Sequence, residues 1–128
     1  MQRRALLAAG VGISLGSDIG AGYERSMVRV ARAMVLAAAR LGDPPPAAAA
    51  AWHAITAGNA DRLGWADAGR LQVGATADLV IIRPDIPWLE PPVDPLARLL
   101  FAWDDRWIEQ TLLRGRTVFP SIPIVQRP

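Results

Sequence analysis

The sequence predicts an α/β protein, because an uncharged strand and an amphipathic helix come first and a β-rich half follows. The strand is Val11–Leu15, an uncharged apolar run that suits burial on both faces of a parallel sheet. It stops at Gly16, and Asp18 follows. A carboxylate just past the C-terminal end of such a strand lies where α/β barrels place their catalytic groups. Gly20 and Gly22 then allow a tight turn and a close backbone approach to a ligand.

The segment Met1–Leu15 has two interpretations. Arg3 and Arg4 ahead of an apolar run resemble a secretory signal, including the twin-arginine type. The alternative is a helix end at Arg3–Ala9 that leads into the buried strand. The apolar run is too short for a membrane span, which needs about 20 residues. We favour the helix, and with it a cytoplasmic protein that neither enters nor binds a membrane.

The main helix is predicted over Ser26–Leu41, with Ser26 as its N-cap and Gly42 as the C′ residue. Its apolar residues recur at helical spacing at Met27, Val30, Met34 and Ala38. The segment Asp43–Pro46 ends it, because proline disfavours helical geometry in the residue before it.

A second, alanine-rich helix is predicted over Ala47–Ala57, since alanine has the highest helix propensity. The pair Gly58-Asn59 is interpreted as its C-cap or as a kink. A further turn, Asn59–Leu63, ends at Gly64. Together these helices complete the first half of the chain.

The second half is predicted to be mainly β-structure. Leu71 and Val73 form a short extended piece, and Leu79–Ile82 is a strand because it is entirely aliphatic. The proline-rich segment Arg83–Pro95 is interpreted as an irregular loop. Pro95–Trp103 is predicted as a helix.

A closing hairpin is predicted from Trp107–Leu113 and Arg116–Phe119, which flank Arg114-Gly115. The tail after Pro120 is expected to be loose, because it is short, terminal and rich in proline. The five tryptophans are interpreted as packing residues at a domain junction.

Composition excludes several classes of function. The net charge is +2, and the basic residues, all arginine, are interleaved with 12 acidic residues. Such a distribution indicates a solvated surface and no nucleic-acid partner. The absence of cysteine excludes disulfides and thiolate metal sites. A single histidine, His53, cannot build a zinc site, which needs three or four protein ligands.

Four motif blocks follow one another between Gly10 and Phe119, and their order is informative. They are Gly16-Ser17-Asp18 with Gly20-Ala21-Gly22 and Ser26-Met27; Thr56–Ala60 with Leu63-Gly64-Trp65; Gly69-Arg70-Leu71 with Gly74 and Ala77–Val80; and Arg114-Gly115-Arg116 with Val118. This series resembles the amidohydrolase superfamily, and within it the guanine deaminases.

The resemblance implies the C-terminal part of a (β/α)8 TIM-barrel enzyme with a small composite β domain. A complete barrel needs roughly 200 residues or more, and this chain has 128. Residues 1–64 would be the last barrel strand with its following helices. Residues 65–128 would be part of the small β-sandwich domain, with one helix and the closing hairpin.

The resemblance makes Asp18 both the catalytic residue and a metal ligand. In that family the corresponding carboxylate binds zinc or iron and moves a proton during hydrolytic deamination of a purine, as from guanine to xanthine and ammonia. The family's histidine ligands are absent from this chain, so a metal would bind only together with the missing N-terminal part of the barrel. We therefore expect the isolated chain to be inactive and the full-length enzyme to bind a small purine substrate. A homodimer is compatible with these expectations.

Each assignment has an alternative. In the alternative for Asp18, its carboxylate only caps the turn or helix that follows it, since aspartate is a preferred cap residue. His53 would be structural. Ser14, in a G-x-S-x-G pattern, would be a nucleophile with Asp43 and His53, an interpretation that needs a strand–turn–helix context.

The function has alternatives as well. One is another amidohydrolase branch, such as a chlorohydrolase or an adenosine-type deaminase. Another is a non-catalytic fragment that acts only through a partner chain and associates through exposed sheet edges.

For smaller features the expectation is structural. Asp78 stands at the entrance to the predicted strand Leu79–Ile82, where a carboxylate commonly accepts hydrogen bonds from turn amides.

Overall fold

The computed structural model describes residues 3–86 and 94–120, and the structural statements below refer to these residues. The elements in chain order are α1 Arg3–Ala8, α2 Met27–Arg40, α3 Ala48–Ile55, α4 Ala57–Arg62, β1 Leu79–Ile82, α5 Pro95–Ala102, β2 Ile108–Leu113 and β3 Arg116–Phe119. A short 3-10 turn, Asp105–Trp107, precedes β2. The predicted α/β class is confirmed, with a small antiparallel sheet in the second half.

Helix α2 confirms the predicted main helix, but its apolar stripe was wrong by one position. The buried residues are Val28, Ala31, Val35 and Ala38, and of the predicted stripe only Ala38 is buried. Ser26 has the extended backbone of an N-cap, although its side chain makes no capping hydrogen bond. The C-terminal end forms a Schellman motif, in which the N–H groups of Gly42 and Asp43 donate to the carbonyls of Ala39 and Ala38. Gly42 has a φ of 75°, the left-handed conformation that such an ending requires.

The hydrophobic core lies where α2, α3 and α5 meet. Ala31 of α2, Ala51 of α3 and Leu100 of α5 are fully buried. Small residues on α2 and α3 let the helices approach closely, and Leu100 fills the space between them. Because α5 belongs to the second half of the sequence, this core joins the two predicted parts, residues 1–64 and 65–128. The boundary between those parts stays a prediction.

Three tryptophans form a chain of edge-to-face contacts beside this core. The ring centroids of Trp52 and Trp103 are 6.0 Å apart, and those of Trp103 and Trp107 are 6.1 Å apart. The Trp52 indole N–H donates to the carbonyl of Leu96 at 2.9 Å, so its polar atom is satisfied on α5. These contacts agree with the interpretation of the tryptophans as packing residues.

The sheet has the order β1-β2-β3, with both pairs antiparallel. The hairpin turn between β2 and β3 has φ of 49° at Arg114 and 75° at Gly115, as a type I′ turn requires. The carboxylate of Asp78 accepts a hydrogen bond from the Arg114 backbone N–H at 2.6 Å. The structural role predicted for Asp78 is therefore confirmed, and the segment before β1 stabilises the hairpin turn.

Two predicted extended pieces are not strands. Val11–Leu15 has no ladder, because no described strand lies beside it. A parallel strand needs neighbours to receive its N–H and C=O groups, and periodicity cannot show whether they exist. Leu71 and Val73 also lie outside the sheet, with side chains 89% and 102% exposed.

Two other predictions fall partly or wholly outside the described residues. In the predicted loop Arg83–Pro95, residues 83–86 are irregular and residues 87–93 are not described. The predicted tail, residues 121–128, is not described. Among the described helices, none combines the length and the apolar character that a bilayer span requires.

We expect the substitution Leu100→Ala to lower the free energy of unfolding by about 2–5 kcal/mol, because it leaves a cavity between three helices. Urea denaturation followed by circular dichroism measures this loss. Leu71→Ala, at a side chain that is 89% exposed, is the matched control and should change stability by less than about 0.5 kcal/mol. Equal effects at the two positions would contradict the packing of α5 against α2 and α3.

The carboxylate of Asp104 offers a pH-dependent test of the turn before β2. Side-chain hydrogen bonds from Arg106, and then its backbone N–H, lower the pKa of Asp104 from 3.8 to about 2. The folded state thus favours the charged form, so this pair stabilises the protein above pH 3.8 and loses its effect as the pH falls toward 2. Solvent screening keeps the contribution small.

We therefore expect NMR titration to give a pKa of about 2 for the Asp104 carboxyl, and Arg106→Leu to raise that pKa toward 3.8. The variant retains the backbone N–H but loses the guanidinium. An unchanged pKa in Arg106→Leu would show that the side-chain hydrogen bonds are not the main cause.

Candidate functional site

Asp18 lies in a tight turn that follows the extended segment 11–17. Its φ is 51°, a left-handed conformation that aspartate tolerates better than most residues. Its backbone carbonyl accepts hydrogen bonds from the N–H groups of Ala21 at 3.1 Å and Gly22 at 2.5 Å. The turn therefore closes through the backbone of Asp18, and the carboxylate is not used to hold it.

The glycines in this turn have a steric reason. Gly20 has a φ of 113°, which L-residues with a side chain rarely adopt. A Cβ at Gly22 would collide with the backbone oxygens of Ser17 and Asp18. The Gly20-Ala21-Gly22 motif thus lets the chain fold back directly over the Ser17-Asp18 peptide.

The Asp18 side chain is exposed. Within the described part of the chain, its carboxylate makes no hydrogen bond, and α2 begins with Ser26 as N-cap. A capping role for the Asp18 carboxylate is therefore absent from this structure. The side chain is available to solvent or to a ligand.

The donor groups that the chain offers decide whether it can hold a metal ion by itself. Residues 3–86 and 94–120 contain no group of three or more His, Cys, Asp or Glu side chains able to hold a metal ion. Asp18 contributes carboxylate oxygens, which suit zinc as one ligand among three or four. These residues by themselves do not fit a complete metal site.

The other two candidate residues lie in structural settings. His53 is exposed on α3, and its ring packs closely on Gly58, where a Cβ would lie 2.8 Å from the imidazole Cδ2. Ser14 lies in the extended segment, outside any strand-to-helix turn, so the context required for a G-x-S-x-G nucleophile is missing. The Ser14, Asp43 and His53 triad is therefore a wrong alternative.

Two cavities lie near the site. A groove of about 800 Å³ is lined by apolar side chains, including Trp52, Ile55 and Trp103, and by the Ser26-Met27 pair. A smaller one, of about 410 Å³, is lined by Ser17 and Gly22 among others. Asp18 does not line either cavity, although its two neighbours in the turn border the smaller one.

Asn59 contributes a contact that sequence reasoning missed. The sequence predicts a C-cap or kink at Gly58-Asn59 and a further turn over Asn59–Leu63, whereas in the structure both residues lie inside α4. Its side-chain amide makes two hydrogen bonds with the backbone of Leu15, three residues before Asp18. The available signal was a lone amide residue in a helix otherwise dominated by small residues, since asparagine is a poor helix former.

Ion pairs stabilise the connection between the Asp18 turn and α2. Arg29 on α2 pairs with Glu24 at 3.6 Å and with Asp105 at 3.4 Å. Glu24 also accepts a hydrogen bond from the Ser26 backbone N–H at 2.8 Å, so its carboxylate joins the backbone of the N-cap residue to the Arg29 guanidinium. The approach to α2 is thus tied to the second half of the chain.

Comparison with known proteins agrees with this architecture. The sequence profile described as "Amidohydrolase family" matches residues 1–118. The chain is 36% identical to a 5-methylthioadenosine/S-adenosylhomocysteine deaminase of Halobacterium salinarum, covering 91% of this chain and 29% of that protein. A protein of the same name from Natronomonas pharaonis is 35% identical, covering 88% of this chain and 26% of its own length. The chain thus spans less than a third of these curated relatives.

Solved structures show the same similarity. Guanine deaminase of E. coli superposes with a TM-score of 0.80 at 28% identity, covering 91% of this chain and 29% of that chain. An adenosine deaminase of Xanthomonas campestris with bound zinc superposes with a TM-score of 0.76 at 28% identity, covering 91% of this chain and 27% of that chain. The resemblance found in the motif blocks is confirmed, and the chain belongs to the amidohydrolase family.

Proposed function

We propose that this chain is the C-terminal part of a metal-dependent aminohydrolase that removes an amino group from a purine-type heterocycle. The observation that carries the proposal is Asp18, the carboxylate of a Gly-Ser-Asp sequence followed by a glycine turn whose backbone folds without using that carboxylate. The proposal also assigns residues 1–64 to the end of a (β/α)8 barrel and residues 65–128 to a small β domain.

The proposed role of Asp18 is ligation of the metal and transfer of a proton. A bound divalent metal lowers the pKa of water to about 7. The Asp18 carboxylate accepts a proton from the attacking water and delivers it to the departing amine. For guanine, water adds at the carbon that bears the amino group, the C–N bond breaks, and xanthine and ammonia leave.

Two purine classes are supported by different observations. The Gly20-Ala21-Gly22 and Ser26-Met27 motifs and the superposition on E. coli guanine deaminase favour guanine. The names of the curated relatives favour 5-methylthioadenosine or S-adenosylhomocysteine, in line with the adenosine-type alternative. Both classes share hydrolytic loss of an aromatic amino group, so the proposed chemistry of Asp18 is the same.

We expect the isolated 128-residue chain, supplied with zinc or iron, to show no turnover of guanine or 5-methylthioadenosine, because it offers one metal-ligating carboxylate where zinc needs three or four ligands. Ammonia release measures this. E. coli guanine deaminase in the same assay is the positive control. Turnover above the background would contradict the proposed division of the site between this chain and other residues.

The role of Asp18 is tested in a chimera in which this chain replaces the corresponding segment of E. coli guanine deaminase. We expect deaminase activity in the chimera, and Asp18→Asn should lower kcat by about 10²–10⁴-fold, because the proton-transferring group is removed.

Asp85→Asn is the matched control, since it removes an equal charge from another exposed aspartate and should leave kcat unchanged. Zinc content and thermal unfolding confirm that each chimera is assembled. A folded, zinc-loaded chimera without activity, or one that is indifferent to Asp18→Asn, would contradict the proposal.

A further inference from the structure

We propose that Asn59 is a positioning residue that holds the segment leading to Asp18. The inference rests on the proposed function in one respect, namely that Asp18 is the reacting carboxylate. The contact itself is independent of that assignment and is tested separately below.

The side-chain amide of Asn59 forms hydrogen bonds with both backbone polar groups of Leu15. Its Oδ1 accepts a hydrogen bond from the Leu15 backbone N–H at 2.9 Å, and its Nδ2 donates to the Leu15 carbonyl at 2.7 Å. A residue in a hydrogen-bonded antiparallel pair exchanges the same two bonds with its partner. The side chain therefore satisfies a partly buried backbone position that has no ladder among the described strands.

A second contact from the same helix aligns the segment along α4. A Cβ at Gly12 would lie 2.8 Å from Nη1 of Arg62, so the Arg62 guanidinium lies directly against this glycine. Asn59 and Arg62 are three residues apart on α4, and Leu15 and Gly12 are three residues apart on the segment. The helix and the segment thus run side by side in opposite directions.

Helix α4 is itself firmly placed. Ala60 is buried, and its carbonyl accepts a hydrogen bond from Trp65 N–H at 2.8 Å. Asp61 forms an ion pair with Arg70. A short helix held at Ala60 and Asp61, directly after Asn59, is a suitable base for holding another segment.

The residue type also indicates a tertiary role. Asparagine inside a helix is unfavourable, because its side chain usually bonds nearby backbone in competing conformations. Here the amide reaches 44 positions along the sequence to Leu15. Local capping does not account for this geometry, whereas placement of the segment does.

The consequence for the site follows from distance along the chain. Asp18 lies three positions after Leu15, at most roughly 10 Å along the backbone at about 3.3 Å per residue. A shift at Leu15 is carried directly to the turn that presents the carboxylate. Misplacement of a catalytic group by about 1 Å can lower a rate by about 10²-fold.

The first test measures amide hydrogen exchange in the full 128-residue chain. Asn59→Leu keeps the branching at Cγ and raises the helix propensity, but it removes both hydrogen bonds. We expect exchange at the Leu15 N–H to accelerate about tenfold, the effect of losing one ordinary hydrogen bond. Protection in α2 should not change. Gln72→Leu, at an exposed amide side chain, is the matched control and should leave Leu15 unaffected.

Asn59→Asp is the second variant, and it keeps the test decisive if the leucine variant fails to fold. It has nearly the same shape and retains an acceptor for the Leu15 N–H, but it replaces the donor to the Leu15 carbonyl by a negatively charged oxygen. The Leu15 carbonyl carbon resonance should therefore move while its amide stays protected. Unchanged exchange in Asn59→Leu, or an unchanged carbonyl resonance in Asn59→Asp, would overturn the assignment.

The second test uses the guanine deaminase chimera to separate positioning from general stability. We expect Asn59→Leu to lower kcat by about 10–100-fold with KM nearly unchanged, because the carboxylate is displaced while the substrate still binds. The double variant Asp18→Asn with Asn59→Leu should be no slower than Asp18→Asn alone, because both changes act through one group.

The outcomes distinguish the two proposals. Two results would show that Asn59 acts through stability and would overturn the positioning role. One is additive losses of kcat in the double variant, and the other is a raised KM together with a lowered kcat in Asn59→Leu. An inactive wild-type chimera would contradict the proposed function, while the exchange experiment would still decide whether Asn59 holds Leu15.

Discussion

The backbone that leads to Asp18 needs hydrogen-bond partners, and this requirement governs the rest of the site. Among the described residues no strand lies beside the segment 11–15. Its polar groups must otherwise be exposed to water or bonded to side chains, since unpaired buried backbone groups are costly. The amide of Asn59 meets this need at Leu15. The turn at Asp18 then begins from a fixed point, and its own backbone closes the loop.

Leu15, where this segment is held, packs against a core formed by residues from both halves of the sequence. Leu100 of α5 is buried against α2 and α3, and the tryptophan chain continues from α3 to the turn before β2. Arg29 joins Glu24, near the Asp18 turn, with Asp105 in the second half. The region around the carboxylate is thereby connected to the sheet through packing and ion pairs. Removing either half would leave the other with an exposed apolar face.

Membership of the amidohydrolase family and the composition of the chain together define what this chain contributes to the proposed active site. The family profile covers residues 1–118, yet the chain spans less than a third of its curated relatives. It brings one carboxylate in a suitable turn and no cluster of metal ligands in the described region. The proposed activity is therefore a property of a larger site in which Asp18 has a single, definable part.

The sequence by itself determined most of the secondary structure, because local patterns encode it. The apolar periodicity of α2, the glycine after it, the aliphatic run of β1 and the Arg114-Gly115 turn all depend on neighbours within a few residues. The ordered motif blocks likewise identified the family and singled out Asp18. The predicted strand Val11–Leu15 forms no ladder among the described residues, since a strand exists only where partners lie alongside.

Only the tertiary structure decided what satisfies that segment and which residues meet in the core. The contact of Asn59 with Leu15 joins positions 44 apart, and no local pattern predicts such a pairing. The same holds for α5 packing on α2, where a helix from the second half completes the core of the first. In each case the physical reason is that hydrogen bonds and burial are settled between elements, after their local conformations are already determined.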